Sequence, residues 1–560
     1  MWGLAGAGAV SVKAPPTFSC GKAKHLLTGC PTSSRAWRRA AHVLLCQGLT
    51  MGLASRSELE LKLELTHEEL ARVSANPDLG TLSVGPPVTR TLRSVYFDTP
   101  DHRLRALGIS LRLRSDGEGW RQTVKAGNGL AGGLSERVEL EALVASPEPD
   151  LEAIGDRRVR RTLEKAVARS ILEPVFETVV QRTTRQLKSN GSELELALDE
   201  GVVRAGGMED ELCEAELELK TGAPSCLLET AARLFAAEPV RLVEASKAER
   251  GYSLVLGRTA GAEPRRAEQP TLEADHSCAE AFVLIVRSAA EQIAANRTAV
   301  LLTEDPAAAH QLRIGLRRLR SVLRAFRPLS DTPALHELEA HAATLARSVG
   351  ELRDADVLIE HIYAPVAGKL KGDPGLPRLR EALLAHRARA RDRARQALCG
   401  RQWSLLQLYL ALFPRAVAEA EELAGPVGKF ARSALKRRWR KVSDSAARLD
   451  ELSIEERHEM RKALKMLRYT AEFFASLYPR RVTERFVREL RSLQEVFGYL
   501  TDVAAAARLG AICHEACADS REAQRAAGYV LGWHNAEAAR AWKGAQKGWR
   551  KLARQPRFWI

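Results

Sequence analysis

Aromatic residues make up only 5% of this chain, few of them interleave its basic residues, and no DNA- or RNA-reading motif is present. Nucleic acid is therefore not an expected partner, because single strands bind largely by stacking on aromatic rings. The nine cysteines include no C-x-x-C pair, which argues against both a zinc ribbon and a disulfide framework. Cys513 and Cys517, with His514 and Glu515 between them, share a helix face, but burial in a core is the commoner use of such a pair. Long hydrophobic runs are missing too. The longest, around 405–413, is far too short to cross a bilayer and reads as a buried helix, so no membrane partner is expected.

Residues 1–50 lack acids: they hold six Lys/Arg, no Asp or Glu, and no apolar period. Such a leader resembles a transit peptide, and Arg38 and Arg39 before 40–49 faintly resemble a secretion signal. The expectation adopted is a third one, in which Met51 is the true start and 1–50 is a disordered or mis-annotated leader.

What is present is an ordinary globular composition, 45% hydrophobic and 28% charged, over 560 residues. That length suits at least two domains. Charge divides unevenly. Residues 51–270 carry 30 basic and 36 acidic side chains, net −6, whereas 271–560 carry 49 and 34, net +15. An acidic middle and a basic end imply two jobs, the second involving a polyanion or an acidic surface.

The stretch 57–65, S-E-L-E-L-K-L-E-L, alternates strictly. Glu58, Glu60, Lys62 and Glu64 fall on one face and four leucines on the other, the two-residue period of a β-strand. The pattern recurs at 94–99, at 111–114 with Arg112 and Arg114, and at 120–125 ending in Lys125. It returns at 135–141 with Arg137, Glu139 and Glu141, at 175–187 with Arg182 and Arg185, at 193–199, and at 214–220 with Glu214, Glu216, Glu218 and Lys220. Thr66 and Glu69 form a capping box that opens a short helix after the first strand, and a helical connection is expected over about 150–169. Eight strands suffice to close an antiparallel barrel. Two arrangements fit: charges to solvent over a leucine core, or charges turned inward. Inward charges are costly unless something neutralises them. A polyanion with a divalent metal does so, because basic groups hold phosphate oxygens and carboxylates hold the metal.

The E-x-E-x-K of Glu58, Glu60 and Lys62 resembles the signature opening the CYTH domain of the triphosphate tunnel metalloenzymes. In matching order follow the R-x-R of Arg112 and Arg114, the lysine-ended strand at Lys125, the E-x-E of Glu216 and Glu218, and Lys247 in A-S-K-A-E-R-G-Y. The resemblance covers about 57–258 and implies an antiparallel eight-stranded tunnel that hydrolyses a triphosphate with Mg2+ or Mn2+. Carried over residue by residue, Glu58, Glu60, Glu216 and Glu218 would ligate metal, with Glu58, Glu60 and Lys62 at the catalytic centre. Lys62, Arg112, Arg114, Lys125, Arg185 and Lys247 would grip the phosphates, and Arg182 competes with Arg185 for its place. Asp199 and Glu139 are lesser candidates for a second metal or for orienting water. The implied chemistry is in-line attack by water on the terminal phosphoryl group.

After a linker at 257–269 the sequence reads helical, and it repeats itself. His310, Arg313, Arg317, Arg320 and Arg324 are matched 148 residues later by His458, Arg461, Lys465, Arg468 and Glu472. Gly350 to Asp354 and Gly498 to Asp502 keep the same offset, so duplication is the simple account. The basic positions make one stripe along a helix, and Leu312, Leu316, Leu319 and Leu323 make another. A solvated basic face explains one such helix; two, in a half of net +15, favour a polyanion-binding surface. The pattern H-x-x-R-x-x-x-R/K-x-x-R resembles the CHAD domain over about 275–555, which implies two related four-helix units and binding of inorganic polyphosphate. His310, Arg313, Arg317, Arg320, His458, Arg461, Lys465 and Arg468 would carry it, and basic clusters at 387–395 and 436–441 would widen the surface.

The expected class is an α+β multidomain protein: an antiparallel eight-stranded β-tunnel (CYTH), then an all-α duplicated four-helix-bundle domain (CHAD). The boundaries are 1–50 leader, 51–258 tunnel, 259–272 linker and 273–556 helical domain. The expected function is metal-dependent hydrolysis of inorganic tripolyphosphate, with long-chain polyphosphate bound by the helical half. The alternatives are a non-catalytic polyphosphate-binding adaptor, an adenylate cyclase, or an organic triphosphatase. The expected location is cytoplasmic, in association with polyphosphate granules.

Overall fold

The computed structural model describes residues 59–560 apart from 116, 118, 127–137, 169, 236–237, 239–240, 244, 258–262 and 419. All eight strands expected from alternation lie in one antiparallel sheet: β1 (Leu59–Glu64), β2 (Val88–Asp98), β3 (Ile109–Ser115), β4 (Trp120–Ala126), β5 (Val138–Val144), β6 (Glu173–Ser189), β7 (Ser192–Ala205) and β8 (Met208–Thr221). Their order is β1-β8-β7-β6-β2-β3-β4-β5, so the first strand pairs with the last, Lys62 opposite Glu216. Among the described residues no backbone pairing joins the edges β1 and β5. The sheet is nevertheless curled. Glu216 on β8 bears on the charge of Arg114 on β3, four strands away, which a flat sheet would place roughly 19 Å apart at ~4.8 Å per strand.

The leucine face points outward and is covered by helices. Around β1, β7 and β8, Leu61, Leu63, Leu194, Leu196 and Leu217 pack on α1 (His67–Ser74), α2 (Asp78–Leu82) and, past α3 (Arg103–Ala106) and α4 (Arg157–Val167), on α5 (Pro224–Leu234). On β3 and β4, Leu111, Leu113 and Val124 pack on Leu104 of α3 and Leu163 of α4. The capping box at Thr66 and Glu69 forms as the sequence requires. With the outer face built of leucine, the charges are left inside.

One helix lies on the inner side. α6 (Lys247–Val255) starts at a capping box between Ser246 and Glu249, and its Tyr252 packs with Tyr96 and Phe176, which share the charged face at one end of the curled sheet. Gly251 permits this seat, since a Cβ there would stand 2.1 Å from the Phe176 ring. Tyr252 also donates to the buried Asp98 carboxylate at 2.6 Å.

The chain then runs along the helical half. Asn296 brackets the main chain of Arg265, and Ser288 donates to the Glu268 carbonyl, so this stretch is pinned. The helices are α7 (Cys278–Leu302), α8 (Pro306–Phe326), α9 (Pro333–Val357), a π-helical turn (Leu358–Tyr363), α10 (Ala364–Ala367), α11 (Gly375–Cys399), α12 (Arg401–Ala418), α13 (Val427–Ala446), α14 (Ile454–Phe473), α15 (Arg480–Ala505), α16 (Ala507–Ala516) and α17 (Arg521–Ala553). The duplication is structural: α7, α8, α9 and α11 recur as α13, α14, α15 and α17, and the π turn with α10 recurs as α16. Of the described residues, Arg480–Ala516 is long and apolar enough to cross a membrane; here it is two helices of the bundle, α15 and α16, packed on α17.

α12 follows the first copy and precedes the second. It is buried on more than one side: Leu406, Tyr409 and Phe413 join the helical core, while Leu408 belongs to the leucine core of the sheet. The two halves are therefore clamped through one helix. Leu408→Ala is expected to lower stability by about 2–5 kcal/mol, read as a drop in midpoint for both halves at once in denaturant unfolding.

Candidate active site

Cross-strand register assembles the inner face. Directly opposed residues of an antiparallel pair point the same way. Glu64, Lys62 and Glu60 on β1 thus meet Glu214, Glu216 and Glu218 on β8, Asp199 meets Glu214, and Arg182 meets Asp199. Further round, Ser94 meets Arg114 and Tyr96 meets Arg112, which in turn faces Thr123.

Three buried carboxylates form the centre: Asp199, Glu214 and Glu216 have ligand oxygens within 4.8 Å of one another. Around them stand Arg182, Lys247 and Lys62, with Arg250 3.7 Å from Glu214. Arg182 forks onto Asp199 at 2.6 and 2.7 Å and reaches Glu216 at 2.7 Å. Lys247, at the start of α6, lies 2.6 Å from Glu214 and 3.0 Å from both Asp199 and Glu216. Lys62 bridges Glu216 at 3.0 Å and Glu60 at 3.1 Å.

Burial works against the charges of Glu216 and Lys247 and is outweighed by their partners. It would raise Glu216, but Arg182, Lys247 and Lys62 hold it well below the usual carboxylate range. It would lower Lys247, but Glu216, Asp199 and Glu214 hold that amine above the ordinary lysine value. Arg114 goes the other way: Arg112 beside it, then burial, push its guanidinium down to about 10. One end of the face is thus acid-rich with matched cations, and the other brings Arg112 and Arg114 side by side.

The expected site residues separate accordingly. Lys62, Arg112, Arg114, Arg182, Glu216 and Lys247 come together. Arg182, not Arg185, faces inward, because Arg185 lies opposite Leu196 on the leucine face. Lys125 stands on the inner face at the end of β4, between Ser110 and Glu139 in register. Glu58 lies outside the described residues, as does Arg137. Glu60 and Glu218 oppose one another, but Glu218 contacts Lys220 at 2.7 Å and is not in the three-carboxylate cluster. Glu214 was not among the expected ligands, although E-A-E-L-E-L-K puts it on the same face; its depth, buried beside Asp199, comes only from pairing with β7.

The second charged surface lies where α8 packs on α14. Arg313 and Arg317 from one copy and Arg461 from the other all bear on Lys465, so the two stripes face one another across one trench. Burial, then these arginines, push Lys465 down to about 6. Burial, then Arg353, Arg317 and Arg313, push His310 down to about 4; burial also lowers His458. The second repeated motif supplies counter-ions: Asp354 accepts from Arg313 at 2.7 Å, and Asp502, its equivalent, stands 3.7 Å from Arg461. Arg320 lies 3.9 Å from Glu339, which also binds Arg324, and Arg468 bonds Glu472 at 3.1 Å. The glutamate replacing the fifth base thus does for Arg468 what Glu339 does in the first copy. Of the 387–395 cluster, Arg387, Arg391 and Arg395 bind Glu304, Thr303 and Leu301 carbonyl oxygens at the end of α7. Those three cap a helix instead of widening the trench. Cys513 and Cys517 are buried in the bundle core.

The family profile described as CYTH domain matches residues 56–252, and that described as CHAD domain matches 284–511. The chain carries a CYTH domain followed by a CHAD domain. An inorganic triphosphatase of Haemophilus influenzae is 29% identical over 197 residues, 35% of this chain and 54% of that protein, so the chain spans about half of that relative's length. An uncharacterized protein of Mycobacterium tuberculosis is 29% identical over 431 residues, 68% of this chain and 76% of its own. Of solved structures, the CHAD domain from the plant Ricinus communis is 28% identical and covers 52% of this chain and 98% of its own, with a TM-score of 0.47.

Proposed function

We propose that this protein is a metal-dependent triphosphatase that hydrolyses inorganic tripolyphosphate inside the curled sheet, and that its helical half binds long-chain polyphosphate. The observation that carries the first part is the buried cluster of Asp199, Glu214 and Glu216 facing the Arg112–Arg114 pair. The donor set is all carboxylate oxygen, which suits Mg2+ or Mn2+. Asp199, Glu214 and Glu216 would hold the ion, with Glu60 as a neighbouring acid across Lys62. When bound, it supplies charge neutralisation and activation of water. Lys62, Arg182 and Lys247, released from the carboxylates, turn to phosphate oxygens, while Arg112 and Arg114 hold the far end of the chain. Catalysis is then positioning and electrostatics, and the protein needs no nucleophile of its own. What supports the second part is the trench between α8 and α14, where four basic side chains from two copies, Arg313, Arg317, Arg461 and Lys465, stand with two aspartates.

The test is phosphate release from tripolyphosphate, ATP and long-chain polyphosphate, with Mg2+, Mn2+ or chelator. Chelator-sensitive release from tripolyphosphate is expected. No release from any of them, beside tight polyphosphate binding, would leave the non-catalytic adaptor as the reading. Glu58→Ala in a folded protein is expected to lose metal-dependent release; retained turnover would remove Glu58 from the metal site.

A further inference from the structure

Beside the trench lies an open cavity of about 460 Å³, lined by His361 of the π turn, Pro365 of α10, Tyr499 of α15, and Trp533, His534, Glu537, Arg540 and Ala541 of α17. Its chemistry differs from the trench. Two large aromatic side chains contribute walls, and a Glu537–Arg540 pair, 2.5 Å apart, offers an acceptor and donors at the rim.

The aromatic wall is built. His534 is 1% exposed. Its Nε2 lies 2.7 Å from the Ile362 carbonyl oxygen, which can only accept, so Nε2 carries the proton. Nδ1 then accepts from the Tyr499 hydroxyl at 3.0 Å. The π turn presents that carbonyl, and such turns recur at binding sites because the extra residue disturbs the regular ladder. Trp533 stands edge-on to His534, with Lys369 4.6 Å from its ring centre. The Tyr499 and His534 rings are therefore held by a polar chain, and Trp533 packs edge-on against it.

His361 joins the two features. It lines the cavity, stands 3.3 Å from Arg353, and is among the charges that bear on His310 and on Asp502 in the trench. For a ligand seated against Trp533 and Tyr499, His361 is the lining residue that leads to Arg353 and the trench. Resting on the reading of the trench as a phosphate site, we infer that the cavity is a base-binding subsite, and that the helical half takes nucleoside polyphosphates with the heterocycle against Trp533 and Tyr499 and the phosphates toward Arg353 and the Arg317–Arg461 cluster.

The test is calorimetric titration of the full chain with ATP and with tripolyphosphate, in chelator so that nothing is hydrolysed. Binding sensitive to Arg317→Ala identifies the trench. In that class of site, Trp533→Ala is expected to weaken ATP about tenfold, the worth of one stacked base, and to leave tripolyphosphate unchanged. Trp533→Phe is expected to keep most of the ATP affinity. Equal weakening of both ligands by Trp533→Ala, or no weakening of ATP, overturns the subsite while the trench stands. If Arg317→Ala changes neither ligand, the subsite falls, and long-chain polyphosphate titrated into the same variant decides the trench reading by itself.

Discussion

Glu216→Gln is expected to cut chelator-sensitive phosphate release from tripolyphosphate by on the order of 10²- to 10³-fold, in a protein that still folds. Of the described carboxylates, Glu216 is the one that touches Lys62, Arg182 and Lys247 alike. The amide keeps its shape but removes the charge that holds them. Stability should fall as well, by about 3–5 kcal/mol, the usual cost of leaving a buried charge network short of one partner. The pH dependence has a definite sign. The folded-state pKa of Glu216 is depressed, so its contribution is present above the ordinary carboxylate pKa, about 4.3, and is lost as pH falls through the depressed folded value. Thermal unfolding of the wild type against Glu216→Gln across pH 3–7 measures it: the difference between them should shrink toward the acid end. Wild-type turnover in a folded Glu216→Gln protein would remove the cluster from the chemistry.

Polyphosphate binding should take up a proton at Lys465. In the free protein this amine loses its proton near pH 6, because it is buried among Arg317, Arg461 and Arg313. A polyanion laid in the trench replaces that repulsion with attraction and restores the charge. Affinity is then expected to fall by up to about tenfold per pH unit above pH 6 from this group alone. Calorimetry in buffers of different ionisation enthalpy at pH 7.5 should show close to one proton bound, and Lys465→Met should abolish most of the uptake. The same residue costs the unliganded protein stability. Its folded pKa lies below the unfolded value of about 10.4, so the cost is full below pH 6 and vanishes as pH rises toward the unfolded value. Lys465→Met should therefore raise the unfolding midpoint most at the acid side. No uptake in the wild type would mean that Lys465 does not meet the anion.

Much of this site is legible before any tertiary structure. Strict alternation places the charges within 57–65 on one face and those within 214–220 on one face, because side-chain direction in a strand has a period of two and depends on nothing distant. The same holds for the stripes of α8 and α14, where a constant offset of 148 residues exposes the duplication. Arg182 and Arg185 show where such reasoning stops. They lie three apart, so one must face in and one out, and the period alone does not say which; the pairing of Arg182 with Asp199 decides it.

The sequence by itself therefore determined the elements, the inner and outer faces, and the kinds of charge on each, since these follow from local periodicity. Tertiary structure decided which acids meet. Glu214 enters the cluster instead of Glu218 because β8 lies between β1 and β7, and only the Asp199 end is roofed by α6, whose Lys247 reaches it. It also decided that the arginines at 387, 391 and 395 cap α7, that Asp354 and Asp502 answer Arg313 and Arg461, and that α12 clamps the sheet to the bundle through Leu408. Each of these depends on contacts between segments far apart in the chain, and no local period records them.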